Sequence, residues 1–155
     1  DTQPGAWHVS TEPSLGESYV SMICRGEGVP YARQWERCQQ ELDKPILAGQ
    51  CYVYQIDLAR SSEFSSGRLT FTQEVNLRLW GGNGSCEGKE LLWESGPVIH
   101  TDWQTYQMVL QPQHDFSYLI LEAYYVGQSP YSGNILIDNF IFEPEQDPCK
   151  PMVVR

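Results

Sequence analysis

The 155-residue sequence has few basic residues and no long apolar run. Ten Lys and Arg stand against twenty Asp and Glu, which gives a formal net charge of −10, and the basic residues are scattered along the chain. Phosphate backbones and anionic membrane surfaces repel such a chain, so we expect no nucleic-acid partner. We also expect no membrane span, because no run approaches the roughly 18 apolar residues that crossing a bilayer requires.

Motifs of catalysis are also missing from the sequence. There is no nucleophile elbow and no HExxH metal motif, and the glycine-rich stretch at residues 81–84 lacks the lysine that follows in a phosphate-binding loop. A nucleophile, a general base and an oxyanion donor cannot be assigned together. The sequence therefore predicts a protein that is not an enzyme, and it predicts residues 81–84 to form a tight loop.

The cysteines give little support to a metal site and leave the disulfide pairing open. Five are present, at positions 24, 38, 51, 86 and 149, and no two of them have the C-x-x-C spacing of zinc sites. An odd number leaves at least one thiol unpaired.

Short apolar runs recur along the chain, and most of them alternate between apolar and polar residues, which is typical of β-strands. Seven such segments are present, at residues 19–24, 51–59, 75–80, 90–93, 105–111, 118–125 and 134–142. Stretches rich in Gly, Ser, Asn and Pro separate them. This pattern predicts an all-β, two-sheet antiparallel β-sandwich as a single domain over residues 1–143. Three prolines among polar residues then predict a tail or linker at 144–155.

Two segments carry more specific information. Residues 34–42 fit either a helical stripe through Trp35 and Leu42 or a polar edge strand, and both alternatives stay open. Residues 118–125 are apolar on both faces. They indicate a central strand whose outer face is covered or is used for binding.

The order of four motifs resembles that of jelly-roll carbohydrate-binding modules. These are Gly-x-Ser-Tyr-Val at 16–20, a Leu-x-x-Gly-x-x-Tyr-like strand opening within 45–52, Trp-Gln-Thr-Tyr at 103–106 and Ile-Asp-Asn at 137–139. The resemblance covers about 120 residues and implies a jelly-roll fold.

Four further segments resemble domains of secreted and surface proteins from gliding, type IX secreting Bacteroidetes. They are residues 51–61, 77–86, 90–95 and 130–139. The resemblance implies an exported, secreted module or one on the extracellular face of the outer membrane, with a glycan or a cell-surface protein as its partner. It also implies an oxidising compartment, in which a bridge between Cys51 and Cys86 is expected.

Aromatic and planar polar side chains provide candidate glycan-binding residues, because sugar rings stack on aromatic faces and their hydroxyls need fixed donors and acceptors. The first group surrounds Trp35 on a largely polar segment and consists of Tyr31, Arg33, Gln34, Trp35 and Glu36. A second group consists of Tyr124, Tyr125 and Tyr131. The same residue types also serve as packing residues or as anchors of protein interfaces, so a protein-docking or structural module of a gliding or type IX secretion assembly is the alternative function.

A structural Ca²⁺ ion is the one cofactor that the resemblance suggests. Many jelly-roll carbohydrate-binding modules hold Ca²⁺ through an Asp in the last strand, and Asp138 matches that position. Glu12 is a weaker second candidate ligand, since Ca²⁺ takes six to eight oxygen ligands. The alternative is an Asp that accepts hydrogen bonds from nearby backbone N–H groups.

Overall fold

The strands of the chain form two facing antiparallel sheets. The computed structural model describes residues 1–84, 86–144 and 149. Its strands are β1 (Thr2–Gln3), β2 (Tyr19–Cys24), β3 (Arg37–Ile46), β4 (Tyr52–Ala59), β5 (Ser65–Ser66), β6 (Leu69–Thr70), β7 (Val75–Gly82), β8 (Glu90–Val98), β9 (Gln104–Leu110), β10 (Phe116–Tyr124) and β11 (Gly133–Phe142), with a short 3₁₀ turn at Ala6–His8. The larger sheet has the order β1-β2-β11-β4-β9 and the smaller has β3-β10-β7-β8, while β5 and β6 form a separate hairpin.

The predicted all-β, two-sheet antiparallel sandwich is confirmed, and each of the seven predicted segments contains a strand. The ambiguous segment forms the edge strand β3 and not a helix. Strand β8 extends beyond its predicted end through Gly96 and Pro97. An edge strand with register shifts tolerates these residues, and here the Ser95 hydroxyl accepts a hydrogen bond from the Leu77 backbone.

The main core lies between the two sheets, because alternate residues of each strand point inward. The larger sheet contributes Ile56, Leu58, Ile135 and Ile137, and the smaller sheet contributes Leu77, Leu79, Leu119 and Leu121. Strand β10 is a central strand of its sheet, as its apolar pattern predicted.

A second apolar cluster covers the outer face of the five-stranded sheet. Ala59 and Leu136 point outward from that sheet and pack with Val9, Phe64 and Phe71, which come from segments outside the two large sheets. We call this surface the covered face. The four-stranded sheet has no comparable apolar cluster on its outer face within the described part of the chain.

The disulfide joins Cys51 to Cys149, whose Cα atoms are 5.8 Å apart. The expected bridge between Cys51 and Cys86 is therefore wrong. Cys51 precedes β4 in the larger sheet, whereas the backbone of Cys86 is bound beside β3 in the smaller one, where its N–H donates to Gln39 Oε1 over 2.8 Å. Cys86 is a free thiol, as are the exposed Cys38 and the buried Cys24. Burial raises the pKa of Cys24 to about 12.

The expected tail at 144–155 lies outside the described residues, apart from Pro144 and Cys149. Within the described residues, no helix has the length and apolar character needed to cross a membrane.

Candidate functional site

The outer face of the four-stranded sheet carries a cluster of aromatic and charged side chains. On β10, Leu121 and Ala123 point into the core, so Glu122 and Tyr124 point outward. On β7, Arg78 and Trp80 alternate in the same way with the inward-pointing Leu77 and Leu79. We call the group formed by Trp35, Arg37, Arg78, Trp80, Glu122 and Tyr124 the open face.

Glu122 lies at the centre of the open face and is only 1% exposed. Its Oε2 accepts a hydrogen bond from Trp35 Nε1 over 2.9 Å, and its Oε1 accepts one from Trp80 Nε1 over 3.2 Å. Arg37 forms an ion pair with Oε2, and Arg78 Nη1 lies 3.7 Å from Oε1. A buried carboxylate needs such partners, and this one fixes two indoles and two guanidinium groups in position.

The aromatic part of the open face is built around Trp35 and Tyr124. Their rings meet edge to face, with centroids 4.9 Å apart and an interplanar angle of 82°. The Arg78 guanidinium carbon lies 3.8 Å from the Tyr124 centroid, and Arg78 Nε donates to Glu94 Oε1 over 2.7 Å. Trp35 remains 36% exposed. The result is an accessible indole held rigidly beside charged, planar polar groups.

A loop after β7 limits the open face on one side. Gly88 lies against the indole of Trp80 so closely that a Cβ atom at this position would be 2.8 Å from the ring. The loop is held there because Lys89 N donates to the Gly81 carbonyl over 2.8 Å and the Arg37 guanidinium donates to the Cys86 carbonyl over 3.2 Å. Trp80 is therefore partly covered by the chain itself, whereas Trp35 faces outward.

Of the eight predicted binding residues, the structure brings Trp35, Tyr124 and Tyr125 together: the centroid of the Trp35 ring lies 4.9 Å from that of Tyr124 and 6.1 Å from that of Tyr125. Glu36 has a structural role, because its side chain accepts a hydrogen bond from the Ile23 backbone over 3.0 Å and its own carbonyl accepts one from Ala123. It connects β2 of the larger sheet with β10 of the smaller one and does not join the open face.

Tyr31, Arg33 and Gln34 belong to the loop that precedes Trp35. Tyr31 is 72% exposed, and both Tyr31 and Arg33 have left-handed backbone angles, with φ of 57° and 60°. Arg33 pairs with Glu27 over 2.6 Å, and the Gln34 carbonyl accepts a hydrogen bond from the Arg25 backbone. These residues form the loop's own contacts and lie outside the network of Glu122.

Tyr125 and Tyr131 pack into the sandwich and not onto a surface. Tyr125 is 7% exposed, and its hydroxyl donates to the Arg25 carbonyl. The Tyr131 hydroxyl donates to the Glu74 carbonyl over 2.7 Å, and burial raises its pKa to about 12. Because their rings are packed and their hydroxyls bind backbone carbonyls, neither Tyr125 nor Tyr131 belongs to the open face.

Sequence reasoning missed Arg37, Arg78, Trp80 and Glu122 as members of the site. One signal was present in the sequence. Glu122 interrupts the apolar run at 118–125, and a carboxylate in a central strand needs buried donors. Which donors surround it depends on pairing between strands distant in sequence, which a single sequence does not display.

Asp138 and Asp57 face each other across β11 and β4, and both hold the segment that covers their sheet. Asp138 Oδ2 accepts a hydrogen bond from the Leu15 backbone over 2.9 Å, and Oδ1 accepts one from the Asn139 backbone over 2.7 Å. Asp57 accepts a hydrogen bond from the Ser14 hydroxyl over 2.6 Å. These carboxylates fasten the chain around residue 14 to the sheet.

The residues around Asp138 offer few free oxygen ligands for a calcium ion. Asn139 Oδ1 is buried without a hydrogen-bond partner, but the Asn139 amide nitrogen donates to Asp57, and the carboxylate oxygens of Asp57 and Asp138 already accept hydrogen bonds. The backbone carbonyl of Glu12, the second candidate ligand, accepts a hydrogen bond from Trp103 Nε1. Among the described residues, no three Asp, Glu, His or Cys side chains are grouped so as to hold a metal. The donor set seen here falls short of six to eight oxygens, and the calcium site stays a prediction.

Solved structures of other proteins share the fold of this chain, and they include the following two. The first is the K1 cleaved adhesin domain of Lys-gingipain from Porphyromonas gingivalis W83, with a TM-score of 0.52 and 12% identity over 82% of this chain and 74% of that one. The second is a CBM4 structure, with a TM-score of 0.51 and 9% identity over 81% of this chain and 82% of that one. At these identities the likeness shows a common β-sandwich. No protein-family model matches the chain, and no curated protein matches it.

Proposed function

We propose that the protein is a non-catalytic binding module that holds a glycan on the open face. The observation that carries this proposal is the exposed ring of Trp35, which is fixed by the buried carboxylate of Glu122 and lies beside Tyr124. A rigid aromatic surface loses little conformational entropy when a ligand stacks on it.

The groups around the two rings fit the chemistry of a sugar. The C–H face of a pyranose packs on an aromatic ring, and its hydroxyls accept from and donate to planar side chains. Arg37 and Arg78 offer N–H donors, and Glu94 offers a partly exposed carboxylate acceptor. Their positions are set by the ion pairs in the sheet, so the polar contacts are preorganised as well.

The charge balance of this surface favours a neutral glycan. Two guanidinium groups, on Arg37 and Arg78, are matched by two carboxylates, on Glu122 and Glu94. The pairs neutralise one another locally while the chain as a whole carries a net charge of −10, so a strongly acidic polysaccharide is disfavoured.

The comparisons support this class of function. The structural neighbours include a CBM4 and a cleaved adhesin domain, which supports a binding module. The disulfide between Cys51 and Cys149 supports an oxidising compartment, which agrees with a secreted protein or one on the extracellular face of the outer membrane.

The alternative function is protein docking, within a gliding or type IX secretion assembly. It is favoured by the adhesin neighbour and by the pairing of Trp35 and Tyr124 with arginines, because Trp, Tyr and Arg are the commonest anchors of protein interfaces. Both functions use the open face, so one experiment can distinguish them by ligand class.

The test is a glycan array and a pull-down from the envelope of the source organism, each run with wild-type protein, Trp35→Ala and Trp7→Ala. Trp7 is the matched control because it is 43% exposed and its indole donates to Asp1, away from the open face. We expect retention on neutral glycans that Trp35→Ala weakens by about 1–3 kcal/mol, by analogy with stacking on aromatic side chains. Retention of an envelope protein alone would instead support docking. If Trp35→Ala and Trp7→Ala lose glycan retention equally, a binding site at Trp35 is contradicted.

The calcium prediction has a separate test. If Ca²⁺ binds the folded protein near Asp138, added Ca²⁺ should raise the melting temperature and a chelator should lower it, because a ligand that binds only the folded state stabilises it. A melting temperature that responds to neither contradicts the calcium site and leaves the glycan proposal untouched.

A further inference from the structure

A small pocket lies beside the covered face. Its volume is about 80 Å³. A water molecule occupies about 30 Å³ in the liquid, so the pocket has room for a chemical group of a few non-hydrogen atoms and not for a whole sugar ring. Its walls include Ile23 of β2, Arg25 just after β2, Glu36 just before β3, and Phe64 and Phe71 on either side of the β5–β6 hairpin. We call it the Arg25 pocket.

Pairing between β2 and the segment before β3 places the charged groups of the pocket. Cys24 and Trp35 face each other in an isolated antiparallel bridge, so the residues next to them in sequence lie on the other side of the two chain segments. Cys24 belongs to the main core and Ile23 to the outer cluster, so Arg25 and Glu36 also lie on the outer side. The Arg25 pocket is therefore separated from Trp35 and the open face by the backbone.

The Arg25 guanidinium is held in place by aromatic rings and not by an anion. Its central carbon lies 5.5 Å from the ring centroid of Phe71 and 5.9 Å from that of Tyr31. Among the residues that the structure describes, none accepts a hydrogen bond from this guanidinium or forms an ion pair with it. The rings fix the group without using its N–H donors, which remain free for a ligand.

Glu36 gives the pocket a free hydrogen-bond acceptor. Its Oε2 accepts from the Ile23 backbone over 3.0 Å, which fixes the carboxylate, and within the described part of the chain Oε1 accepts no hydrogen bond. A second carboxylate in the pocket, that of Asp1, accepts from Trp7 Nε1 over 2.8 Å. An anion would be repelled by the carboxylates and a cation by Arg25, so the pocket favours a neutral group that has both an acceptor and a donor.

We propose that the Arg25 pocket binds the acetamido group of an N-acetylhexosamine. The carbonyl oxygen of this group accepts hydrogen bonds from the Arg25 guanidinium, and its N–H donates to Glu36 Oε1. Its methyl group packs against Phe64 and Phe71, which are each 2% exposed. This second site goes beyond the function proposed for the open face and does not depend on it.

Tyr31 favours a sugar as the carrier of the acetamido group. Its ring is 72% exposed and lies against the Arg25 guanidinium, outside the pocket itself. A sugar ring whose acetamido group enters the pocket stays outside, where an exposed aromatic face is available for stacking. An acetylated lysine side chain, the other common carrier of this group, has no ring to use that face.

The first test compares acetamide, acetate and acetamidinium, which have the same shape and differ in charge. Each is added to the ¹⁵N-labelled full chain, and the Nε–H signal of Arg25 and the backbone amide of Ile23 are followed. We expect acetamide to shift both signals at a lower concentration than either ion. A stronger response to acetate or to acetamidinium would mean an ion site and would overturn the proposal.

Two variants and a matched control test the individual contacts. Arg25→Met removes the N–H donors but keeps an unbranched side chain against Phe71, and Glu36→Gln keeps an acceptor for Ile23 but replaces the free oxygen by a donor. Both should weaken the binding of N-acetylglucosamine by about tenfold or more. Arg68→Met removes the same charge from an exposed position outside the pocket and should not weaken it. Equal binding by Arg25→Met and Arg68→Met would overturn the proposal.

Three larger probes identify the carrier of the group. N-acetylglucosamine should shift the Ile23 amide and bind more tightly than a peptide that contains Nε-acetyl-lysine, whereas glucose, which lacks the acetamido group, should cause no shift. Equal shifts with glucose and N-acetylglucosamine, or no shift with either, would overturn the pocket. Tighter binding of the peptide would overturn the assignment to a sugar.

The Arg25 pocket and the open face can fail separately. Trp35→Ala should leave the shift of Ile23 by N-acetylglucosamine unchanged, because Trp35 lies on the other side of its chain segment. Loss of that shift in Trp35→Ala would overturn a separate site. Trp7 lies at the rim of the pocket, so it serves as the control for Trp35 with glycans that lack an acetamido group.

Discussion

The two outer faces of the sandwich differ in what lies on them. The five-stranded sheet is covered by its own chain, with Val9, Phe64 and Phe71 packed over Ala59 and Leu136. The four-stranded sheet leaves Trp35 accessible and, in the part of the chain that the structure describes, has the loop around Gly88 folded against Trp80. A strand sequence alone therefore does not define a binding surface. What matters is where the connecting segments of the chain cover a sheet and where they leave it open.

Each face has a buried carboxylate, and the partners of the two carboxylates explain the difference. Asp57, 5% exposed, accepts hydrogen bonds from the neutral hydroxyls of Ser14 and Thr105 and so anchors its own chain. Glu122, 1% exposed, binds indoles and guanidinium groups that reach the surface. Asp57 fastens a covering segment to its face, whereas Glu122 positions the side chains of a face that stays accessible.

The largest expected effect is that of Glu122→Ala, which removes the centre of the open face. Arg37 and Arg78 lose the partner that offsets their charge, and both indoles lose an acceptor, so we expect a loss of about 3 kcal/mol in the free energy of unfolding. Urea denaturation measures it. Glu94→Ala is the control, because that side chain is 41% exposed and its ion pair should contribute less than about 1 kcal/mol. Equal losses would mean that Glu122 has no central role.

Asp57→Asn should have the next largest effect and should change the pH dependence of the covered face. Burial raises the pKa of Asp57, but hydrogen bonds from Ser14, Thr105 and Asn139 outweigh burial, and the pKa lies below its usual value. The carboxylate therefore stabilises the fold above the unfolded-state pKa of about 3.9, and this contribution disappears as the pH falls through the lower folded-state value. The variant should lose about 1–2 kcal/mol near neutral pH.

Denaturation between pH 5 and pH 2 checks the sign of the Asp57 effect. The wild type should lose stability more steeply than Asp57→Asn below about pH 4, because only the wild type must protonate this carboxylate. Parallel curves would contradict the assignment of Asp57 as the anchor of the covering segment.

Trp35→Phe separates the structural role of the indole from its role as a surface. The ring that a sugar can stack on is kept, but the N–H donor to Glu122 is lost, so we expect a cost of about 1 kcal/mol in stability. Glycan retention should fall less than in Trp35→Ala. If both variants lose retention equally, the ring face is not what the ligand contacts.

The smallest effect that we expect is a difference between the three free cysteines in how fast they are labelled in the native protein. Burial raises the pKa of Cys24 to about 12, so this thiol should react only when the protein unfolds. Cys38 and Cys86 are exposed and should be modified in the native state, and Cys38 should react more slowly because partial desolvation raises the pKa of its thiol. Alkylation followed by peptide mapping measures all three, and fast native labelling of Cys24 would contradict its place in the core.

The sequence predicted the fold more completely than the site, for a physical reason. Alternation between apolar and polar residues is local, so all seven segments could be recognised as strands. The partners of Glu122 come from β3, from β7 and from Trp35 just before β3, and they meet only in the folded protein. The partner of Cys51 lies 98 residues away in the sequence. Trp35 could be chosen because it stands in a polar segment, but Tyr125 and Tyr131 could not be distinguished from it without knowledge of burial.

The most direct test of the open face as the ligand site is an NMR titration that follows the indole N–H signals of the five tryptophans. Neutral oligosaccharides retained on the glycan array are added to ¹⁵N-labelled protein. We predict that the signals of Trp35 and Trp80, which both donate to Glu122, shift with the ligand, while that of Trp103, which donates to the Glu12 carbonyl on the covered face, does not. A shift of Trp103 with Trp35 unmoved would contradict the proposal that the ligand binds the open face.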